Sequence, residues 1–161
     1  ELKNQPLECR AAGTKAEILA ALHEYIQSSV PPASALYEDI STLLNLFEDL
    51  TEASSFRLLL TTVTSDMCRK FHTDVNDLRM LCTYIGPGTL WLPDEAILQA
   101  KGRDLQIDNR KIQQVATGDV VVLKGALYPE ATPILHRSPA IEEAGETRIV
   151  LRIDTNEFLN F

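Results

Sequence analysis

Cysteine is scarce in this chain: three residues among 161, at positions 9, 68 and 82, with no C-x-x-C spacing. An odd, sparse set of thiols excludes a disulfide scaffold and fits a reducing compartment, so the expected location is cytoplasmic. Long apolar runs are missing too. The longest aliphatic strings are LLL and VVVL, far short of the roughly 20 residues that a membrane helix needs. Basic clusters are also absent, and a formal net charge of −8 repels phosphate backbones, which sets aside nucleic acid as a partner. No internal repeat, low-complexity tract or composition shift marks a domain boundary. Glu1 stands where a start methionine would, so the lack of a targeting peptide carries no weight.

What is present suits one globular domain over residues 1–161, with 45% hydrophobic and 24% charged residues. A chain of this length buries roughly two thirds of its unfolded surface. Residues 1–12 lack periodicity and read as a tail. Thr14-x-x-Glu17 is a capping box ahead of Ile18, Leu19, Leu22, Tyr25 and Ile26, which predicts a helix over about 15–29. Pro31-Pro32 stops it, and Ser34 caps a second helix with the apolar stripe Leu36, Ile40, Leu43, Leu44, Phe47 and Leu50. From residue 56 the texture turns to short β-branched and aliphatic segments at 56–64, 70–74, 78–85, 89–92, 111–115, 119–123, 133–136 and 147–154, with a short helix at 94–100. Eight such strands with Gly, Pro and Asp between them predict an α+β, mainly β chain. The expected architecture is a jelly-roll, double-stranded β-helix barrel (56–154) with two N-terminal helices (13–54) packed against it.

The chemistry centres on the histidines. With three histidines and 23 acids in 161 residues, about 0.4 His-x-acid pairs arise by chance, so His72-Thr73-Asp74 needs a third partner. If 70–74 is a strand, residues i and i+2 share a face and both groups point into the barrel. His136, ending the segment PILH, supplies a second imidazole from a distant strand. Two imidazoles and one carboxylate make the facial triad that leaves positions open on iron(II). Cys68, in a loop four residues before His72, is expected to have no special role, its alternatives being an extra soft ligand for zinc or a redox-sensitive thiol. Trp91 is expected to wall the pocket or cap the barrel, and His23 and Cys82 to be structural.

The order of motifs around these residues is similar to the prolyl-hydroxylase-like branch of the iron(II)- and 2-oxoglutarate-dependent dioxygenases. It runs His72-Thr73-Asp74, then LCTYIGPG to Thr89, Gly118-Asp119, His136, Pro139, Gly145 and Arg148. That resemblance implies His72, Asp74 and His136 as metal ligands, iron(II) and 2-oxoglutarate as cofactors, and Arg148 as partner of the distal carboxylate of 2-oxoglutarate. A guanidinium suits that task because its planar fork makes two charge-assisted hydrogen bonds to one carboxylate. His136 and Arg148 are about two residues further apart than that branch implies, with Glu142-Glu143 in the extra length; this is either a harmless loop or an insertion that moves Arg148 out of reach, in which case Arg152 on the same strand face becomes the substitute. Arg79 and Tyr84 are further candidates for lining the cofactor pocket, although opposite parity lets only one of them point inward.

Whole phrases, CRKFHTDVNDLRMLCTYIGPGTLWLPDE, GDVVVLKGALYP and LHRSP, resemble the bacterial proteins grouped as domain of unknown function 1826. The resemblance implies a link to metal homeostasis. It leaves three readings open: an oxygenase acting on a small-molecule or peptide substrate; a non-catalytic zinc- or iron-binding cupin-like protein; and a hydrolase using zinc-bound water with Glu142 or Glu143 as base. Either a monomer or a homodimer is compatible with the pattern.

Overall fold

The structure, a computed structural model, describes residues 6–29, 34–101, 104–129 and 132–155. In chain order the elements are β1 (Glu8–Gly13), α1 (Lys15–Ser29), α2 (Ser34–Thr51), β2 (Phe56–Val63), β3 (Leu78–Ile85), β4 (Leu90–Trp91), β5 (Ile97–Lys101), β6 (Asp104–Ile107), β7 (Gln113–Gln114), β8 (Val120–Lys124), β9 (His136–Arg137) and β10 (Arg148–Thr155). The strands pair as a five-stranded sheet in the order β1-β2-β10-β3-β8, a three-stranded sheet β7-β4-β9 and the hairpin β5-β6. All pairings are antiparallel. Two helices and mainly antiparallel sheets are therefore the architecture expected from the sequence.

Side-chain alternation divides the five-stranded sheet into two unlike faces. Phe56, Leu58 and Leu60 of β2, Leu78, Met80 and Cys82 of β3, and Ile149, Leu151 and Ile153 of β10 join one core with the helices. Against them α1 presents Ile18, Leu22 and Ile26, one turn apart, and α2 presents Ile40, Leu43, Leu44 and Phe47. Each fully buried side chain of this size stabilises the fold by roughly 1.5–3 kcal/mol. The other face, carrying Leu59, Thr61, Val63, Arg79, Leu81, Arg148, Val150 and Arg152, lines a cavity. Placing the apolar mass on the helix side leaves this second face free to hold charge.

The capping box forms as expected: Thr14 N–H donates to Glu17 Oε2 at 2.8 Å and Glu17 N–H returns to Thr14 Oγ1 at 3.4 Å. Pro31 and Pro32 lie outside the described residues. Several boundaries depart from expectation. Residues 8–13 are a strand, not a tail: Cys9 faces the core while Glu8 and Arg10 alternate outward, and pairing to β2 supplies hydrogen bonds that local propensity did not advertise. Leu50, placed in the α2 stripe, is 54% exposed because it falls in the helix's final turn. The helix expected at 94–100 is a single 3-10 turn (Asp94–Ala96) followed by β5, which pairs with β6, itself not anticipated. Segment 111–115 contracts to the two residues of β7 and 133–136 to β9.

The most consequential difference is at 70–74. Only His72 pairs, in an isolated bridge to His136. The chain then leaves the sheet, because the backbone carbonyls of Asp74, Asn76 and Asp77 accept from Ala126, Leu127 and Gly125. A loop held on both sides, not a regular strand, carries the H-x-D pair.

Candidate metal centre and arginine-lined cavity

His72, Asp74 and His136 converge although Asp74 lies outside any strand. His72 and His136 exchange backbone hydrogen bonds of 3.0 Å in both directions, and such antiparallel partners project to the same face. Their rings are 4.7 Å apart between centroids. Asp74 Oδ1 lies 3.8 Å from His72 Nε2 and Oδ2 lies 3.3 Å from His136 Nε2. All three potential donor atoms fall within 4.8 Å of one another.

Tautomers follow from the acceptors. His72 Nδ1 is 3.0 Å from the Lys70 carbonyl and His136 Nδ1 is 3.1 Å from the Ile134 carbonyl. A carbonyl only accepts, so each Nδ1 carries a proton, and Nε2 is the ring nitrogen that each histidine turns toward the Asp74 carboxylate. In the neutral form each Nε2 offers a lone pair, and a divalent cation between two such lone pairs and a carboxylate would hold all three together. With metal–ligand distances of 2.0–2.2 Å, adjacent donors sit about 3 Å apart in an octahedron and about 3.4 Å apart in a tetrahedron. The 3.3 Å separation falls on that scale and the 3.8 Å separation lies a little beyond it, and backbone carbonyls already orient both imidazoles as they do in metal sites. The residues fit a divalent metal.

Asp74 is ionised in this setting. Burial opposes its charge, but the contact with His136 and the charges of Arg79 and the histidines outweigh it and hold the carboxyl below its ordinary range. Arg79 Nη1 reaches Asp74 Oδ2 at 2.6 Å, an ion contact whose angles miss those of a hydrogen bond. The same guanidinium meets Asp154 through Nε at 2.5 Å and Nη2 at 3.2 Å.

The cavity beside the triad has a volume of about 130 Å³ and is lined by His72, His136, Thr89, the inward face of the sheet, and Met67, Cys68, Arg137 and Ser138. Arg148 is 3% exposed. Its Nη2 donates to Thr83 Oγ1 at 3.2 Å and Thr89 Oγ1 at 3.4 Å, its Nε has no partner, and it makes no ion pair with any described residue. Burial without a counter-ion pushes its pKa down to about 10. This is a cation that has been desolvated and left without an anion, a costly arrangement unless a ligand completes it.

The other candidates separate. Arg79 and Arg152 line the cavity, but both are engaged with Asp154, Arg152 through Nε at 3.0 Å. Tyr84 departs from the expected pocket role. Its hydroxyl donates to Asp39 of α2 at 2.6 Å, and burial first, then Asp39, raises its pKa. Parity sends Tyr84 to the helix side. Glu142 and Glu143 are exposed and absent from the cavity lining; Glu142 pairs with Arg69 at 3.2 Å, which removes the geometry a zinc-water base would need. Cys68 lines the cavity but is not part of the converged triad. Trp91 pairs with His136 in register without lining the cavity. The sequence reading missed Asp154 and Thr83. Asp154 was detectable only as an acid sharing parity with Arg152 and Arg148.

Among solved structures, the chain is similar to iron(II) HppE, at 14% identity and a TM-score of 0.37, over 62% of this chain and 42% of that one. It is also similar to the Fe(II)/(alpha)ketoglutarate-dependent dioxygenase TqaL, at 18% identity and a TM-score of 0.35, over 65% and 43%. A third similarity is to an RmlC-like cupin protein from Desulfovibrio desulfuricans, at 15% identity and a TM-score of 0.33, over 62% and 72%. The chain thus spans less than half the length of the first two. No curated protein matches its sequence. The family model described as "Protein of unknown function (DUF1826)" matches residues 3–154, and the chain belongs to that family.

Proposed function

We propose that this protein is an iron(II)- and 2-oxoglutarate-dependent oxygenase of the hydroxylase type, with His72, Asp74 and His136 as metal ligands and Arg148 as the anchor of the co-substrate's distal carboxylate. The observation that carries the reading is Arg148: a buried guanidinium without a counter-ion, on the same cavity as a converged His-Asp-His set. A metal site alone does not call for such a group; a dicarboxylate that chelates the metal at one end does.

When bound, iron(II) and 2-oxoglutarate supply oxygen activation coupled to decarboxylation, and that chemistry belongs to them. The chain's own residues hold and orient. Nδ1 contacts to carbonyls keep each Nε2 lone pair aimed at the ion. Thr83 and Thr89 present Arg148 to the cavity. Leu59, Leu81, Val63 and Val150 form an apolar wall that limits water and strengthens the carboxylate pair.

Strand order supports a jelly roll as the framework. Along the chain β2, His72, β3, β4, β7, β8, β9 and β10 switch between the five-stranded sheet and the sheet that holds β4, β7 and β9 at every step except β4 to β7, with His72 joining the latter through its bridge to His136. On this reading the chain forms one domain in the cytoplasm, with β5-β6 as an inserted hairpin and a small molecule or peptide as substrate.

The test is anaerobic addition of iron(II) and then 2-oxoglutarate, monitoring the visible charge-transfer band of the chelate, with Arg148→Ala as control. A band in the wild type that the variant lacks is expected. Bound metal without a band would make this a non-catalytic metal protein, with zinc the leading ion because the same donors suit it.

A further inference from the structure

Beneath the metal centre lies a buried ionic network whose hub is Arg79. Its side chain is 18% exposed and spans two carboxylates, Asp74 Oδ2 at 2.6 Å and Asp154 Oδ1 at 2.5 Å. Asp154 is 1% exposed, and it also accepts from Asn76 Nδ2 at 3.2 Å and meets Arg152 Nε at 3.0 Å. Arg79 therefore cannot turn away from Asp74 without abandoning Asp154.

Resting on the metal-site reading above, we propose that Arg79 is the positioning residue of the centre: it occupies Oδ2 of Asp74, so that the carboxylate offers the ion a single oxygen, Oδ1. The physical argument has two parts. A carboxylate free to rotate binds a divalent ion through one oxygen or two, and a second oxygen would consume one of the open positions that a His-Asp-His site keeps for its ligands. A guanidinium on one oxygen blocks that second mode. A cation this close to a ligand would also cancel the ligand's charge, and here Asp154 prevents it. Asp154, which also meets Arg152, takes the Nε–Nη2 edge of the fork and leaves Nη1 for Asp74, so Arg79 divides its positive charge between two carboxylates and Asp74 does not receive the whole of it. Lysine could not replace this, since a point charge has no second edge.

The experiment uses cobalt(II) as the probe, with the full-length metal-free chain, its thermal melting as a check of folding, and the cobalt d–d spectrum as the report on coordination. Arg79→Lys retains the charge without the fork. The double variant Arg79→Gln/Asp154→Asn removes both charges together and leaves Arg152, whose side chain is 38% exposed, to solvent. Each is expected to melt close to wild type without metal, to bind cobalt(II) about 10–100-fold more weakly, and to show an altered d–d spectrum. Wild-type affinity and spectrum in either folded variant would overturn the proposal. A crystal structure of the cobalt-loaded wild type tests it without any variant: Arg79 on the non-ligating oxygen of Asp74 is expected, and a bidentate Asp74 overturns it. If the wild type itself takes up no cobalt or zinc, the metal-site reading fails first, an outcome distinct from a metal-binding wild type whose variants bind equally well.

Discussion

His72 and His136 donate to and accept from each other through their backbones at 3.0 Å in both directions, and this one bridge brings their imidazoles to the same side. It is the only β-pairing that the H-x-D segment makes among the described residues. The geometry of the candidate centre therefore depends on two hydrogen bonds between residues far apart in the chain.

Metal removal should be visible as stability. An ion that binds only the folded chain adds about 2.7 kcal/mol at a free concentration one hundred times its dissociation constant, so a chelator should lower the melting temperature and added iron(II) or zinc restore it. Asp74→Ala should lose this response, because the carboxylate is the one anionic donor of the set. An unchanged metal-dependent shift in that variant would remove Asp74 from the site.

Arg148→Met should separate ligand binding from folding. The guanidinium is buried and forms no ion pair with the described residues. Replacing an uncompensated buried charge with an apolar side chain of similar length should leave thermal stability unchanged or raised. Binding of 2-oxoglutarate, read by isothermal titration in the presence of a redox-inert metal, should weaken by at least about tenfold, the loss of a charge-assisted pair. Equal affinity in wild type and variant would assign the arginine to folding alone.

Gly86 links a turn to that arginine. Its φ is +81°, and a Cβ there would stand 2.3 Å from the Thr147 carbonyl oxygen and 3.0 Å from Arg148 Cγ. Gly86→Ala should cost about 1–3 kcal/mol through backbone strain, measured by denaturant unfolding. It should weaken 2-oxoglutarate binding while metal affinity stays near wild type, since the triad lies on other segments. A stable variant with unaltered binding would show that the turn does not set Arg148.

Asp66 gives a pH dependence whose sign is fixed by its partners. Its Oδ1 accepts from Ile141 N at 2.7 Å and Glu142 N at 3.0 Å, and these backbone hydrogen bonds, the Ile141 one first, hold the carboxyl below its ordinary value of 3.8. A depressed folded-state value contributes stability that is fully present above 3.8 and disappears as the pH falls through the lowered value. Hydrogen exchange at the Ile141 and Glu142 amides should accelerate, relative to intrinsic rates, only in that acid range. Asp66→Ala should show the faster exchange already at neutral pH; protection equal to wild type there would rule Asp66 out as the clamp on this loop.

Much of the architecture was readable because its causes are local. The Thr14–Glu17 box spans three residues and marks the start of α1, and the alternation in FRLLLTTV and RIVLRIDT separates a core face from a second face within each strand. Strand β1 escaped notice because Glu8, Ala11, Ala12 and Gly13 are weak strand formers, and only β2 completes their hydrogen bonds. The expected strand at 70–74 was wrong for a related reason: the carbonyl of Asp74 accepts from Ala126, and those of Asn76 and Asp77 just beyond it accept from Leu127 and Gly125, so the chain is held in a loop and not in a sheet.

The sequence by itself determined the inventory of the site: two histidines, an aspartate and several arginines, with parity to sort most of them by face. What each arginine does was decided only by tertiary structure. Arg79 and Arg148 are the same residue type on the same sheet face, yet Arg79 meets Asp154, 75 residues away, whereas among the described residues Arg148 meets only two threonine hydroxyls and no carboxylate. Whether a charge becomes a brace or a binding group depends on which carboxylate the fold brings within a few ångströms, because in a buried cavity an ion pair acts strongly at contact and its absence leaves the full desolvation cost in place.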